Sequence, residues 1–123
     1  MLRIAKKPIV KKNAVVHLST QFAIDVIAFC EMLAARKKNI ISNQLLKAGT
    51  SIGANIAEAQ NAESRADFVH KLKIAAKEAR ETQYWLRLCE CSPSYPHDPK
   101  LQNKLVELIR LIDRIIVSAK RGG

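Results

Sequence analysis

Apolar residues recur at three- and four-residue steps along most of the chain. From about Asn13 to Lys37 the recurring positions are Leu18, Phe22, Val26, Phe29 and Leu33. From about Ser42 to Gln60 they are Leu45, Ala48, Ile52, Ile56 and Ala59. A third segment opens at Ser64, with Asp67 three residues on in a capping-box-like start, and its stripe runs Phe68, Leu72, Ala75, Ala79, Thr82, Leu86, Cys89. The proline-rich SPSYPHDP then breaks the rhythm, and Asp98-Pro99 reads as the N-cap and first residue of a fourth helix. That helix carries Leu101, Leu105, Leu108, Ile112, Ile115 and Ala119. No stretch alternates with the period of two that a strand requires. Four amphipathic helices with short connections predict an all-α fold, an antiparallel up-down-up-down four-helix bundle over residues 13–121, preceded by an arm, residues 1–12.

The second helix contains QLLKAGTSIGANIAEAQ, whose two glycines suggest a phosphate loop. Such a loop needs a preceding strand and a GK[ST] ending, and here the apolar rhythm passes straight through Gly49 and Gly53. Each mid-helix glycine costs about 1 kcal/mol relative to alanine. Gly49, Gly53 and Ala57 lie four apart on one face, so close approach of another helix is the expected compensation. Thr50, Ser51, Asn55 and Glu58 place polar groups beside that strip.

The fourth helix is more apolar than a bundle needs. Its aliphatic residues between Leu105 and Val117 cover about 240° of the helical wheel, whereas a bundle core uses roughly 100–140°. The surplus predicts a subunit interface on this helix, at positions such as Ile109 and Leu111.

Charge adds a further feature. The formal net charge is +10, and Arg3, Lys6, Lys7, Lys11, Lys12, Arg36, Lys37, Lys38, Lys120 and Arg121 account for the whole excess. Basicity concentrated at the helix ends is an electrostatic footprint for polyanions; a solvated, solubilising surface is the bland alternative. In an up-down bundle Lys6, Lys7, Lys11 and Lys12 gather at one end with Lys120 and Arg121, and Arg36, Lys37 and Lys38 sit at the other. A second basic set, Lys73, Lys77, Arg80 and Arg87 around Tyr84, occupies an arc of about 80° on the third helix, flanked by Glu78 and Glu81.

Other chemistries find little support. Cys30, Cys89 and Cys91 have no disulfide-framework spacing, and Cys89-x-Cys91 with His97 matches no zinc pattern, so neither metal nor cofactor is expected. His17, His70 and His97 are scattered, and no nucleophile–base motif appears, so the protein is not expected to be an enzyme. The N-terminus lacks the apolar run of a secretory signal, and no uninterrupted apolar stretch approaches the roughly 20 residues of a membrane span. A cytoplasmic protein with no membrane partner is the expectation.

Two blocks resemble a known family. Ser51-Ile52-Gly53-Ala54-Asn55-Ile56-Ala57-Glu58, and Glu78 through Leu86 with its Glu81-Thr82-x-Tyr84-Trp85-Leu86 core, are similar to the bacterial four-helix-bundle proteins encoded by intervening sequences of 23S rRNA genes. The resemblance extends to the accessory variability determinants of diversity-generating retroelements. It implies structural roles for Ser51, Gly53, Asn55, Glu58, Glu81 and Trp85, and a ring-like homopentamer of bundles. The retroelement branch implies binding of nucleic acid and of a reverse transcriptase. The basic arm and the cysteine-bearing end of the third helix depart from the family pattern, and nothing is carried onto them. Two functions remain open: an oligomer holding RNA or DNA non-specifically by charge, or a structural adaptor for a protein partner, a reverse-transcriptase-like one included.

Overall fold

Residues 13–122 are described by the computed structural model, and three of the four helices in them begin at a side-chain cap that the sequence offers. The helices are α1 (Ala14–Ala35), α2 (Asn39–Ala59), α3 (Arg65–Cys91) and α4 (Pro99–Lys120), with no strand among the described residues. Asn13 Oδ1 accepts from the Val15 amide at 3.2 Å, and Asp98 Oδ1 from the Leu101 amide at 3.1 Å. Ser64 Oγ accepts from the Asp67 amide at 3.0 Å, while Asp67 reaches back to the Glu63 amide at 3.2 Å. Each such cap satisfies an amide that the first helical turn leaves without a partner. α2 has no side-chain cap; it is held instead by a tight turn from α1. There the Lys38 amide donates to the Leu33 carbonyl at 2.8 Å and the Lys37 amide to Ala34 at 2.9 Å. Closing that turn puts Lys37 at φ 62°, a left-handed conformation usually given to glycine.

Cross-helix contacts fix the topology. Gly49 meets Val26 and Gly53 meets Ser19, so α1 and α2 run antiparallel. Arg80 bonds Asp113 at 3.2 Å, and the Arg65 guanidinium reaches the Gly122 carbonyl at 3.5 Å, so α3 and α4 do likewise. Each helix packs on its sequence neighbours, and α4 returns to α1 along the most loosely packed seam.

The core matches the apolar stripes with three exceptions, Leu18, Phe68 and Ile115, and the expected glycine strip with one, Ala57. Leu18 is exposed, and the neighbouring Ser19 is buried in its place. A small residue is required there because α2 approaches at Gly53, whose missing Cβ would lie 3.4 Å from the Ser19 carbonyl oxygen. The Ser19 hydroxyl donates to the Val16 carbonyl at 3.1 Å, which removes the penalty for burying it. Ala57 is exposed and outside the close contact. Each four-residue step turns about 40° past a full circle, so by Ala57 the strip has rotated away from α1. Phe68 and Ile115 are half-buried at the margins of the core.

The surplus aliphatics of α4 are also placed differently from the sequence expectation. Ile109 is only 8% exposed, inside the chain's own core, and Leu111, Ile115 and Ile116 pack half-buried against it. The open apolar surface lies mainly on α1 and α2 instead, at Ile24, Ile27, Met32, Ile40 and Leu46. By length and composition α1 is apolar enough to cross a membrane, although it contains no uninterrupted apolar run of that length. In the bundle it acts as a core helix, burying Val15, Phe22, Val26, Phe29 and Leu33.

Candidate nucleic-acid interface

Charge is divided between the two halves of the bundle. α1 and α2 carry only Asp25, Glu31, Lys47 and Glu58. α3 carries Arg65, Lys71, Lys73, Lys77, Arg80 and Arg87 against Asp67, Glu78, Glu81 and Glu90. α4 carries Lys100, Lys104, Arg110, Arg114 and Lys120 against Glu107 and Asp113, with Arg121 just beyond its end. The helix-borne bases therefore belong mainly to the α3/α4 half, while Arg36, Lys37 and Lys38 lie in the turn between α1 and α2.

Lys73, Lys77, Arg80 and Arg87 are all exposed on α3, but their surroundings differ. Arg80 is tied to Asp113 across the seam at 3.2 Å, which cancels much of its outward field. Lys73 instead lies beside Lys120, whose neighbouring amine pulls the Lys73 pKa below its ordinary value. Lys77 and Arg87 are in no ion pair among the described residues. Tyr84 is exposed within this row and meets Trp85 edge-on at 5.2 Å. The tyrosine ring is thus available for stacking while the tryptophan packs on the core.

A row on α4 was not anticipated from the sequence. Arg110, Arg114 and Arg121 are exposed on its outward side, within an arc of about 40° at 100° per residue. An open groove of about 510 Å³ beside them is lined by Asp113, Arg114, Val117, Ser118 and Arg121. The signal was present in the helical wheel of α4, hidden by its aliphatic excess. Of the two acids on α4, Asp113 is held by Arg80 and Glu107 lines grooves toward α1 with Leu18.

The ends of the bundle separate the remaining bases. α1 begins beside the end of α2, where Asn13 donates to the Gln60 side chain at 3.0 Å, and this pole also holds Lys120 and Arg121. Lys6, Lys7, Lys11 and Lys12 lie outside the described residues. At the opposite pole Lys38 reaches Ser94 at 3.5 Å and sits 5.0 Å from the centre of the Tyr95 ring, so it is engaged by the proline-rich connection.

The residues of the family-like blocks play local structural parts. Asn55 donates to the Ser51 carbonyl at 2.9 Å, and Thr50 to the Leu46 carbonyl at 2.7 Å. Glu58 pairs with Lys71 at 3.1 Å, joining α2 to α3. The Trp85 indole donates to Glu81 at 3.2 Å, one turn earlier.

Among the described residues no cluster of three His, Cys, Asp or Glu side chains converges on a common point. Cys30 and Cys89 are buried and Cys91 is exposed, so the cysteine pair at the end of α3 is split between core and solvent. Burial pushes the Cys30 thiol up to about 11, and raises Cys89 as well. At pH 8 in native buffer, a thiol-specific chromogenic reagent should therefore modify Cys91 rapidly, with Cys30 and Cys89 reacting only after denaturant is added. Fast modification of two or three thiols in the folded protein would contradict this burial.

Comparison with known proteins is consistent with the fold. A solved protein of unknown function from the S23 ribosomal protein family of Bacteroides thetaiotaomicron VPI-5482 is 41% identical, with a TM-score of 0.79 over 83% of this chain and 97% of that one. No curated protein matches the sequence. The model of the 23S rRNA-intervening sequence protein family matches residues 11–116, which include every helix except the last turn of α4. The chain belongs to the 23S rRNA-intervening sequence protein family.

Proposed function

We propose that this protein is a non-enzymatic, oligomeric helical bundle that binds RNA or DNA through basic surfaces without reading sequence. The observation that carries the reading is the division of charge along the helices: apart from Lys47, the helix-borne bases lie on α3 and α4, and the bare apolar surface lies mainly on α1 and α2. Lysines and arginines spread along helix faces suit a phosphate backbone, which they can hold in many registers. The apolar face of α1 suits a second copy of the chain, and a homopentameric ring is the assembly that the resemblance implies.

The test is binding of labelled single-stranded RNA and duplex DNA of mixed sequence across salt concentration. For about four phosphate contacts, affinity should fall on the order of a hundredfold between 50 and 200 mM salt, equally for unrelated sequences. Changing Lys6, Lys7, Lys11 and Lys12 to Gln should weaken binding more than changing Lys73, Lys77, Arg80 and Arg87, because Arg80 is already neutralised by Asp113. No binding at low salt would favour the second reading, a protein adaptor. The observation favouring that reading is the same exposed apolar face of α1, which fits a different protein as well as a second copy.

A further inference from the structure

The seam between α3 and α4 is pinned at two levels. Asp113 holds Arg80 in its middle, and the Arg65 guanidinium touches the Gly122 carbonyl near its end. Between these anchors Lys73 and Lys120, each seven residues and so about two turns from the Arg80–Asp113 pair, are carried by the antiparallel helices to the same level on the same side of the seam. The amine of Lys120 lowers the Lys73 pKa. Both side chains are exposed, and neither forms an ion pair with an acid among the described residues.

Two ammonium groups side by side repel each other, and lysine side chains are flexible enough to part. An anion between them reverses the sign of the interaction. A phosphodiester offers two non-bridging oxygens on one phosphorus, so each ammonium can donate to one oxygen while the shared negative charge offsets their repulsion. Arg121 is next in sequence to Lys120, and Lys77 lies one turn along α3 from Lys73, which leaves bases for adjoining phosphates of the same strand.

We propose that Lys73 and Lys120 form a two-lysine clamp for one backbone phosphate of a bound nucleic acid strand. The clamp rests on the nucleic-acid reading above and gives it a defined contact, formed by residues 47 positions apart on different helices. Occupied, it would favour the doubly charged state that the empty pair disfavours.

The experiment compares K73Q/K120Q with the charge-matched K47Q/K100Q, whose lysines lie on α2 and at the start of α4. Both variants change exposed side chains, and circular dichroism should show both folded. Relative to the charge-matched control, the clamp variant should bind an RNA oligonucleotide about tenfold more weakly, with a salt slope shallower by about one. In parallel, NMR titration of the Lys73 side-chain amine is followed in the parent with and without pyrophosphate. Its midpoint should lie below the ordinary lysine value in the free protein and rise when pyrophosphate is added. Oligonucleotide binding by the parent with equal affinities for the two variants would overturn the clamp and leave the broader reading intact. No oligonucleotide binding, with a Lys73 midpoint that still responds to pyrophosphate, would overturn the nucleic-acid reading and reduce the clamp to a small-anion site. A midpoint that pyrophosphate does not move would overturn the clamp in either case.

Discussion

Gly49→Ala should destabilise the protein although alanine is the better helix former. A Cβ at Gly49 would lie 2.8 and 3.0 Å from the two Val26 methyl groups, closer than real Cβ contacts allow. Valine is stiff about χ1, so its methyls cannot swing aside without leaving their rotamer. The overpacking cost of about 1–3 kcal/mol exceeds the roughly 1 kcal/mol gained in helix propensity. At Gly53 the nearest atom to a new Cβ is the Ser19 carbonyl oxygen at 3.4 Å, an ordinary contact. Gly53→Ala should therefore be neutral or mildly stabilising, and Gly53→Leu should fall at the low end of about 1–3 kcal/mol. Gly49→Leu, with no open side to enter, should show the largest loss of the series. Urea denaturation of the four variants checks the order. Removing the obstructing methyls with Val26→Ala should abolish the penalty of Gly49→Ala, a coupling that a double-mutant cycle reads directly. Equal behaviour of Gly49→Ala and Gly53→Ala would mean that the two glycines do not differ as the packing requires.

Ile24→Glu/Ile27→Glu should convert an oligomer into a folded monomer. These residues are 49% and 44% exposed on the outward side of α1, so glutamates there remain hydrated in the isolated chain. In an assembly that covers this face, two desolvated carboxylates per subunit oppose association strongly. Ile109→Glu provides the contrast: at 8% exposure the carboxylate would enter the bundle core and should unfold the chain instead. Analytical ultracentrifugation with circular dichroism separates the outcomes. A parent that sediments as a monomer at micromolar concentration would remove the self-assembly reading, and an assembled double variant would move the interface off α1.

The sequence made the repeating part of the fold legible. Every stripe residue named on α2 is buried, and the caps at Ser64 and Asp98 sit where side-chain chemistry placed them. Exchanging Leu18 for Ser19 was not legible, because apolar periodicity cannot register a position where the partner helix is too close for a leucine. The aliphatic excess of α4 reads as an outward face because a wheel does not show how deeply neighbouring helices wrap it; that wrapping encloses Ile109 and half-buries Ile116. The basic row of α3 was visible as an arc, but its division was not. Arg80 is paired with Asp113, and helix register brings Lys120 level with Lys73; both Asp113 and Lys120 come from the far end of the chain. Pairing over such separations depends on helix register, which composition and spacing do not encode.

The unequal sharing of charge between the two halves of the bundle also bears on how encounters begin. A body with its positive charge displaced to one side feels a torque in the field of a polyanion, as well as an attraction. The α3/α4 side should therefore turn toward the strand before contact, shortening the rotational search that limits most docking rates. The same rotation carries the nearly uncharged α1 side to the rear, so a molecule captured in this way arrives with its apolar surface facing away from the strand, still accessible to the next subunit.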